Sequence, residues 1–79
     1  MKTQFKTVKV LPPLEEMQKF VGGYVQALEL KNGHTMYVNE EGKLNDLPYN
    51  HMATAFWVAS WDFYEPIVGN VLYHIKETK

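Results

Sequence analysis

Residues 24 to 39 read YVQALELKNGHTMYVN, and the two letters at 32 and 33 decide how the chain is laid out. Asn32-Gly33 is a strong hairpin signal, because both residue types accept the positive φ angles of a tight primed turn. Alternating, β-branched and aromatic residues flank it on both sides, as in half-buried strands. The reading is a strand over 24–31, a two-residue turn, and a strand over 34–39. This register sets Lys31 opposite His34 and Glu29 opposite Met36. Val25, Ala27, Met36 and Val38 then share one face, and Tyr24, Leu28, Leu30, Thr35 and Tyr37 share the other. Both faces are partly apolar, so one is expected to meet helices and the other to meet a partner or a second layer.

Outward from this hairpin, the N-terminal side begins with QFKTVKVL, residues 4 to 11, an alternating run that reads as a strand. Pro12 and Pro13 end it, and proline suits a first helical turn, where its missing N–H has no partner anyway. Leu14, Met17, Gln18 and Val21 follow helical spacing, with Phe20 beside them as an expected core residue. Glu15 and Glu16 fall in the first turn, where the helix dipole favours negative charge. Gly22-Gly23 stops the helix, one of the pair in the left-handed conformation.

On the C-terminal side lies the polar stretch NEEGKLNDLPYN, residues 39 to 50. It reads as a turn. Asn39 can bond its own backbone, and Gly42 can take a left-handed conformation. Leu44 and Leu47 are expected to anchor the loop in the core. Asn50 is placed to cap a helix over 51–59, HMATAFWVA, with Met52, Ala55, Phe56 and Ala59 as its stripe. Phe56, Trp57 and Val58 suit a strand as well, so that alternative stays open. IVGNVLYHI, residues 67 to 75, reads as the last strand. The order is β-α-β-β-α-β in one small α+β domain over 1–79, an antiparallel sheet with helices packed on one face and frayed ends near 1–3 and 76–79.

Composition bounds the function. The 79 residues are 46% hydrophobic and 14% aromatic, which is globular, and they allow one modest core. The formal net charge of −1 gives no electrostatic footprint for nucleic acid. Lys2, Lys6 and Lys9 lie on an edge-like segment, where lysines guard a strand against pairing. There is no cysteine, which excludes disulfides, thiol catalysis and thiolate zinc sites. No apolar run approaches the roughly 20 residues of a membrane span, and MKTQFKTVKV lacks the apolar core of a signal peptide. The expectation is a cytoplasmic protein without membrane contact.

The pieces FVGGYV (20–25), MYVNEEGKLNDLPYN (36–50), ATA (53–55) and IVGNV (67–71), in this order and spacing, resemble the domain-of-unknown-function family numbered 3846. The resemblance runs from about Glu16 to Tyr73. It implies a setting in bacteriophages and bacterial mobile elements, inside an infected bacterium, and brings no activity or catalytic residues. One departure stands out. The family pattern has a glycine where this chain has Asp46, and a glycine there suggests a positive φ angle, which Asp tolerates better than most residues.

No constellation points to catalysis. Ser60 is the lone serine and has no glycine elbow. No phosphate loop is present. Glu40 and Glu41, adjacent in sequence, lack the longer ligand ladder of a calcium site. His34, His51 and His74 fall on different elements, so no shared metal is expected. The aromatic run FWVASWDFY, residues 56 to 64, is mostly core, yet so many rings are hard to bury in so small a domain. Trp57 or Trp61, with Tyr49 or Tyr64, is expected to remain partly exposed, and such rings suit binding surfaces. The candidate contact residues are Tyr37, Glu40, Glu41, Lys43, Tyr49, Trp57, Trp61 and Tyr64. The expected function is a non-enzymatic interaction protein, without cofactors, that binds and modulates a host bacterial protein in takeover or anti-defence. The alternative is a binder that sequesters a nucleotide-like signal, with aromatics stacking on the base. A homodimer is a further arrangement open to it.

Overall fold

The structure is a computed structural model and describes residues 3–76. Its elements are β1 (Phe5–Val8), α1 (Leu14–Val21), β2 (Val25–Glu29), β3 (Thr35–Asn39), α2 (His51–Trp61) and β4 (Val71–His74). The order and the α+β class are those read from the sequence. The stretch after Asn50 is helix, which settles the helix–strand ambiguity. Of the ends expected to fray, residues 1–2 and 77–79 lie outside the described residues. Lys76 is held, donating its backbone N–H to His34 Nδ1 at 3.1 Å.

The four strands form one sheet in the order β1-β4-β3-β2. β3 is antiparallel to both neighbours, but β1 runs parallel to β4, so the sheet is mixed rather than antiparallel. The reason is topological. β2 and β1 both run in the direction of β4, and the chain passes from one sheet edge to the other through α1.

The helices also lie on opposite faces, not on one. Met36 and Val38 of β3, with Val71 and Tyr73 of β4, pack with Ala53 of α2, and Phe5, Leu28, Phe56 and Trp57 close round them. Phe5 stacks on Phe56 with centroids 5.2 Å apart, and Phe56 meets Tyr73 at 5.0 Å. Tyr37, Asn39 and Leu72 alternate to the other side. There the Asn39 amide donates to the Val21 carbonyl at the end of α1 (3.0 Å), and Lys6 stands over the Phe20 ring. β3 and β4 are buried on nearly every residue, so both sheet faces need a cover. Met17 and Val21 supply the buried face of α1, while Phe20 is only half-buried. Phe20→Ala is therefore less costly than the loss of a core aromatic.

α1 starts at Pro13 and stops at Gly22, whose φ is 84° and whose N–H bonds the Gln18 carbonyl at 2.8 Å. These are the limits that the proline and glycine pairs indicated. The hairpin differs from its reading. Leu28 pairs with Met36 and Glu29 with Thr35, and Leu30 N–H donates to the His34 carbonyl. The loop is thus Lys31-Asn32-Gly33, with Gly33 at φ 93°, a common three-residue hairpin in which glycine takes the left-handed position. One residue of slip reverses every side chain of β2. Leu28 joins Met36 and Val38 on the α2 side, and Val25 and Ala27 turn to the α1 side.

Candidate functional site

The turn after β3 is built by Asn39. Its Oδ1 accepts the Glu41 N–H at 2.8 Å, while its amide reaches α1. One buried side chain thereby closes the turn and ties it to the helix across the sheet. Gly42 is needed for space, not for a left-handed backbone. A Cβ there would stand 2.9 Å from Val68 Cγ2 and 3.4 Å from the Asn39 carbonyl oxygen. The left-handed residue is Asp46, at φ 56°, a backbone conformation that favours glycine. Asp46→Gly relieves the backbone but adds freedom to the unfolded chain, so stability changes by less than about 0.5 kcal/mol in urea titrations. Asp46→Val, in contrast, loses about 1–2 kcal/mol.

Leu47 anchors the loop, half-buried against Gly69, where an added Cβ would meet Leu47 Cδ1 at 2.8 Å. Leu44 does not. It is 84% exposed, because the turn closes between Gly42 and Leu47 (Leu47 N–H to Gly42 carbonyl, 3.0 Å) and throws the intervening residues outward. Asn50 ends the loop. Its side chain accepts the Ala53 N–H at 3.1 Å, as expected of a cap, and donates to the carbonyls of Gly69 (2.8 Å) and Gln4 (3.2 Å).

Between this turn, α2 and residues 65–68 lies a cavity of about 410 Å³. Leu28 and Val38 from the sheet, Trp57 from α2 and Ile67 form its apolar wall. Glu40, Glu41, Lys43 and Glu65 stand at its rim with Leu44. Lys43 is paired with Glu65 across the opening. Both groups are well exposed, so the pair contributes little to stability. Among the described residues Glu40 and Glu41 enter no ion pair. The Trp57 indole N–H is buried and finds no hydrogen-bond partner among the described residues, an arrangement that carries a desolvation cost.

The eight candidate residues therefore separate into groups. Glu40, Glu41, Lys43 and Trp57 converge on the cavity. Tyr37 does not, because strand alternation puts it on the α1 face. Trp61 sits at the hairpin, donating its indole N–H to the Glu29 carbonyl at 3.0 Å, with Lys31 over its ring. Tyr49 and Tyr64 form a separate exposed pair. Tyr49 meets His51 edge-on at 4.5 Å, and its hydrogen bond to the Tyr64 hydroxyl raises the Tyr64 pKa above that of an ordinary tyrosine. Leu44 and Glu65 are rim residues that sequence reasoning passed over. Leu44 reads as a core anchor by its type alone, and Glu65 enters only through the fold. Glu40→Ala with Glu41→Ala leaves stability within about 0.5 kcal/mol of the parent chain, which thermal and urea melts check.

These features define a small α+β domain with an acid-rimmed apolar pocket beside a sheet edge. The chain belongs to the family described as domain of unknown function (DUF3846), whose model matches residues 1–78. Neither the curated proteins nor the solved structures yield a match to it.

Proposed function

We propose that this domain is a non-catalytic binding protein that grips a partner protein at the cavity beside the 39–44 turn. The observation that carries the reading is Leu44. An aliphatic side chain 84% exposed at the mouth of an apolar cavity has no structural use, since the turn closes without it. Beside it, Glu40 and Glu41 offer charge without an internal partner, which gives a contact its orientation and on-rate. The apolar centre with a charged rim follows the anatomy of protein interfaces. The phage setting implied by the sequence resemblance makes the partner a bacterial host protein, met in the cytoplasm of the infected cell.

The cavity volume favours a second reading, since about 410 Å³ is in the range of small-ligand sites. A nucleotide-like signal fits it poorly. Two glutamates flank the opening, and the rim lysine is already neutralised by Glu65.

Affinity capture from host lysate, run beside native mass spectrometry of the purified protein, tests this. The expected result is a protein captured by the parent chain, with capture weakened on the order of fivefold in the Glu40→Ala, Glu41→Ala double variant. A small molecule retained in the native spectrum, with no protein captured, would favour the ligand reading instead.

A further inference from the structure

We infer that the partner is held by strand addition: an extended segment of the partner protein pairs with β2 as a fifth strand and drops an apolar side chain into the cavity. This inference rests on the binding function proposed above and assigns its mode and the chemistry of the segment.

β2 is an edge of the sheet. Its hydrogen bonds to the far side are fixed by the hairpin. Leu30 N–H bonds the His34 carbonyl, and the Tyr24 carbonyl accepts Glu40 N–H. The even-numbered residues therefore face β3, and Val25, Ala27 and Glu29 turn their N–H and C=O groups outward. The Glu29 carbonyl is taken by the Trp61 indole. Among the described residues nothing bonds the outward groups of Val25 and Ala27. The two edges of the sheet are treated differently. β1 carries Lys6, with Lys9 just beyond it, the usual guard against edge pairing. β2 reads Val-Gln-Ala-Leu-Glu, with no lysine and no proline, so its edge is left open.

The cavity lies against this open edge, on the α2 side of Gln26 and Leu28. A strand added to β2 stands about 4.8 Å away and presents alternate side chains to that side. Main-chain pairing with pockets for alternate side chains is a known mode of peptide recognition. Glu40 and Glu41 stand at the Val25 end, since Val25 pairs with Asn39. The segment that fits is extended, with a large apolar residue for the cavity and a lysine or arginine toward Glu40 and Glu41. A second copy of this chain fits less well. Two-fold pairing about Ala27 sets Val25 against Glu29 and needs the Glu29 carbonyl that Trp61 occupies.

The intact protein is screened against a displayed library of random heptapeptides, and enriched peptides are resynthesised with single backbone N-methyl groups. Enrichment of one apolar residue near a lysine or arginine is expected. N-methylation at one alternating set of peptide residues should weaken binding on the order of 10-fold or more, and at the other set hardly at all. Amide shifts at Val25 and Ala27 should accompany binding, and Glu40→Lys with Glu41→Lys should abolish the basic preference. Equal tolerance of every N-methyl position, or shifts confined to the Tyr49–Tyr64 surface, would overturn strand addition while leaving protein binding intact. A dimer that forms through β2, and is broken by Ala27→Lys, would overturn it by giving the edge to a second copy. Absence of any enriched peptide overturns the inference alone if lysate capture still depends on Glu40 and Glu41, and takes the binding function with it if capture fails too.

Discussion

Asn50→Ala lowers the unfolding free energy by about 3 kcal/mol in urea titrations. A helix cap by itself is worth about 1 kcal/mol, and the cap to Ala53 N–H is only one of the three bonds this side chain makes. Its amide also donates to the Gly69 and Gln4 carbonyls, and Asn50 is 2% exposed. Truncation leaves these acceptors with little access to water, and a buried orphan costs about 1–3 kcal/mol. Asn50→Ser restores the acceptor for Ala53 but not the donors, so it recovers about 1 kcal/mol of the loss. Equal values for Ala and Ser would mean that the cap contributes nothing. A loss of only about 1 kcal/mol for Ala would mean the same of the two donated bonds. Asn50 thus joins the residue before β1, the residues before β4 and the start of α2 at one point.

Met36→Ala loses a similar amount, about 3 kcal/mol, in the same titrations. Met36 is fully buried at the centre of the α2 face, paired across the sheet with Leu28 on one side and Tyr73 on the other. Removing it leaves a cavity walled by two strands, which cannot collapse without breaking the ladder. Met36→Leu conserves volume and costs less than about 1.5 kcal/mol. The half-buried Phe20 is the internal comparison, because Phe20→Ala should cost less than Met36→Ala although it deletes more atoms. The reverse order would place the main core under α1.

Much of this architecture was legible because local chemistry decided it. Pro13 and Gly22 bound α1, Asn50 caps α2, and Asn39 closes the turn, each through residue preferences that act over a few positions. The structure departs from the sequence reading where the decision is made at longer range. Asn32-Gly33 supports either a two- or a three-residue loop, and the choice between them reverses the faces of β2. The apolar pairing of Leu28 with Met36 is a signal that favours the longer loop. The parallel β1–β4 pair and the split of the helices between faces follow from packing of the whole chain. The unbroken burial along β3 and β4 reflects that double cover, and no short window reports it.

The candidate site was legible in part. Glu40, Glu41 and Lys43 stood out as charges in a turn, and Trp57 as a ring hard to bury. Their convergence required the fold, because Trp57 reaches the cavity from α2 while the acids come from the end of β3. Tyr37 keeps the face opposite Met36 and Val38 that its alternation indicates, and the register of β2 takes Leu28 away from it to the cavity side. Leu44 looked like an anchor because it is a leucine, and only the closure between Gly42 and Leu47 shows that it faces water.

The most direct test of the binding account is site-specific photo-cross-linking inside bacterial cells. A photoreactive amino acid replaces Leu44 at the cavity mouth in one variant and Leu14, also exposed but on α1, in another. The account predicts a discrete cross-linked protein adduct from position 44 and none from position 14. Adducts of the same pattern from both positions, or an adduct from position 14 alone, would contradict it.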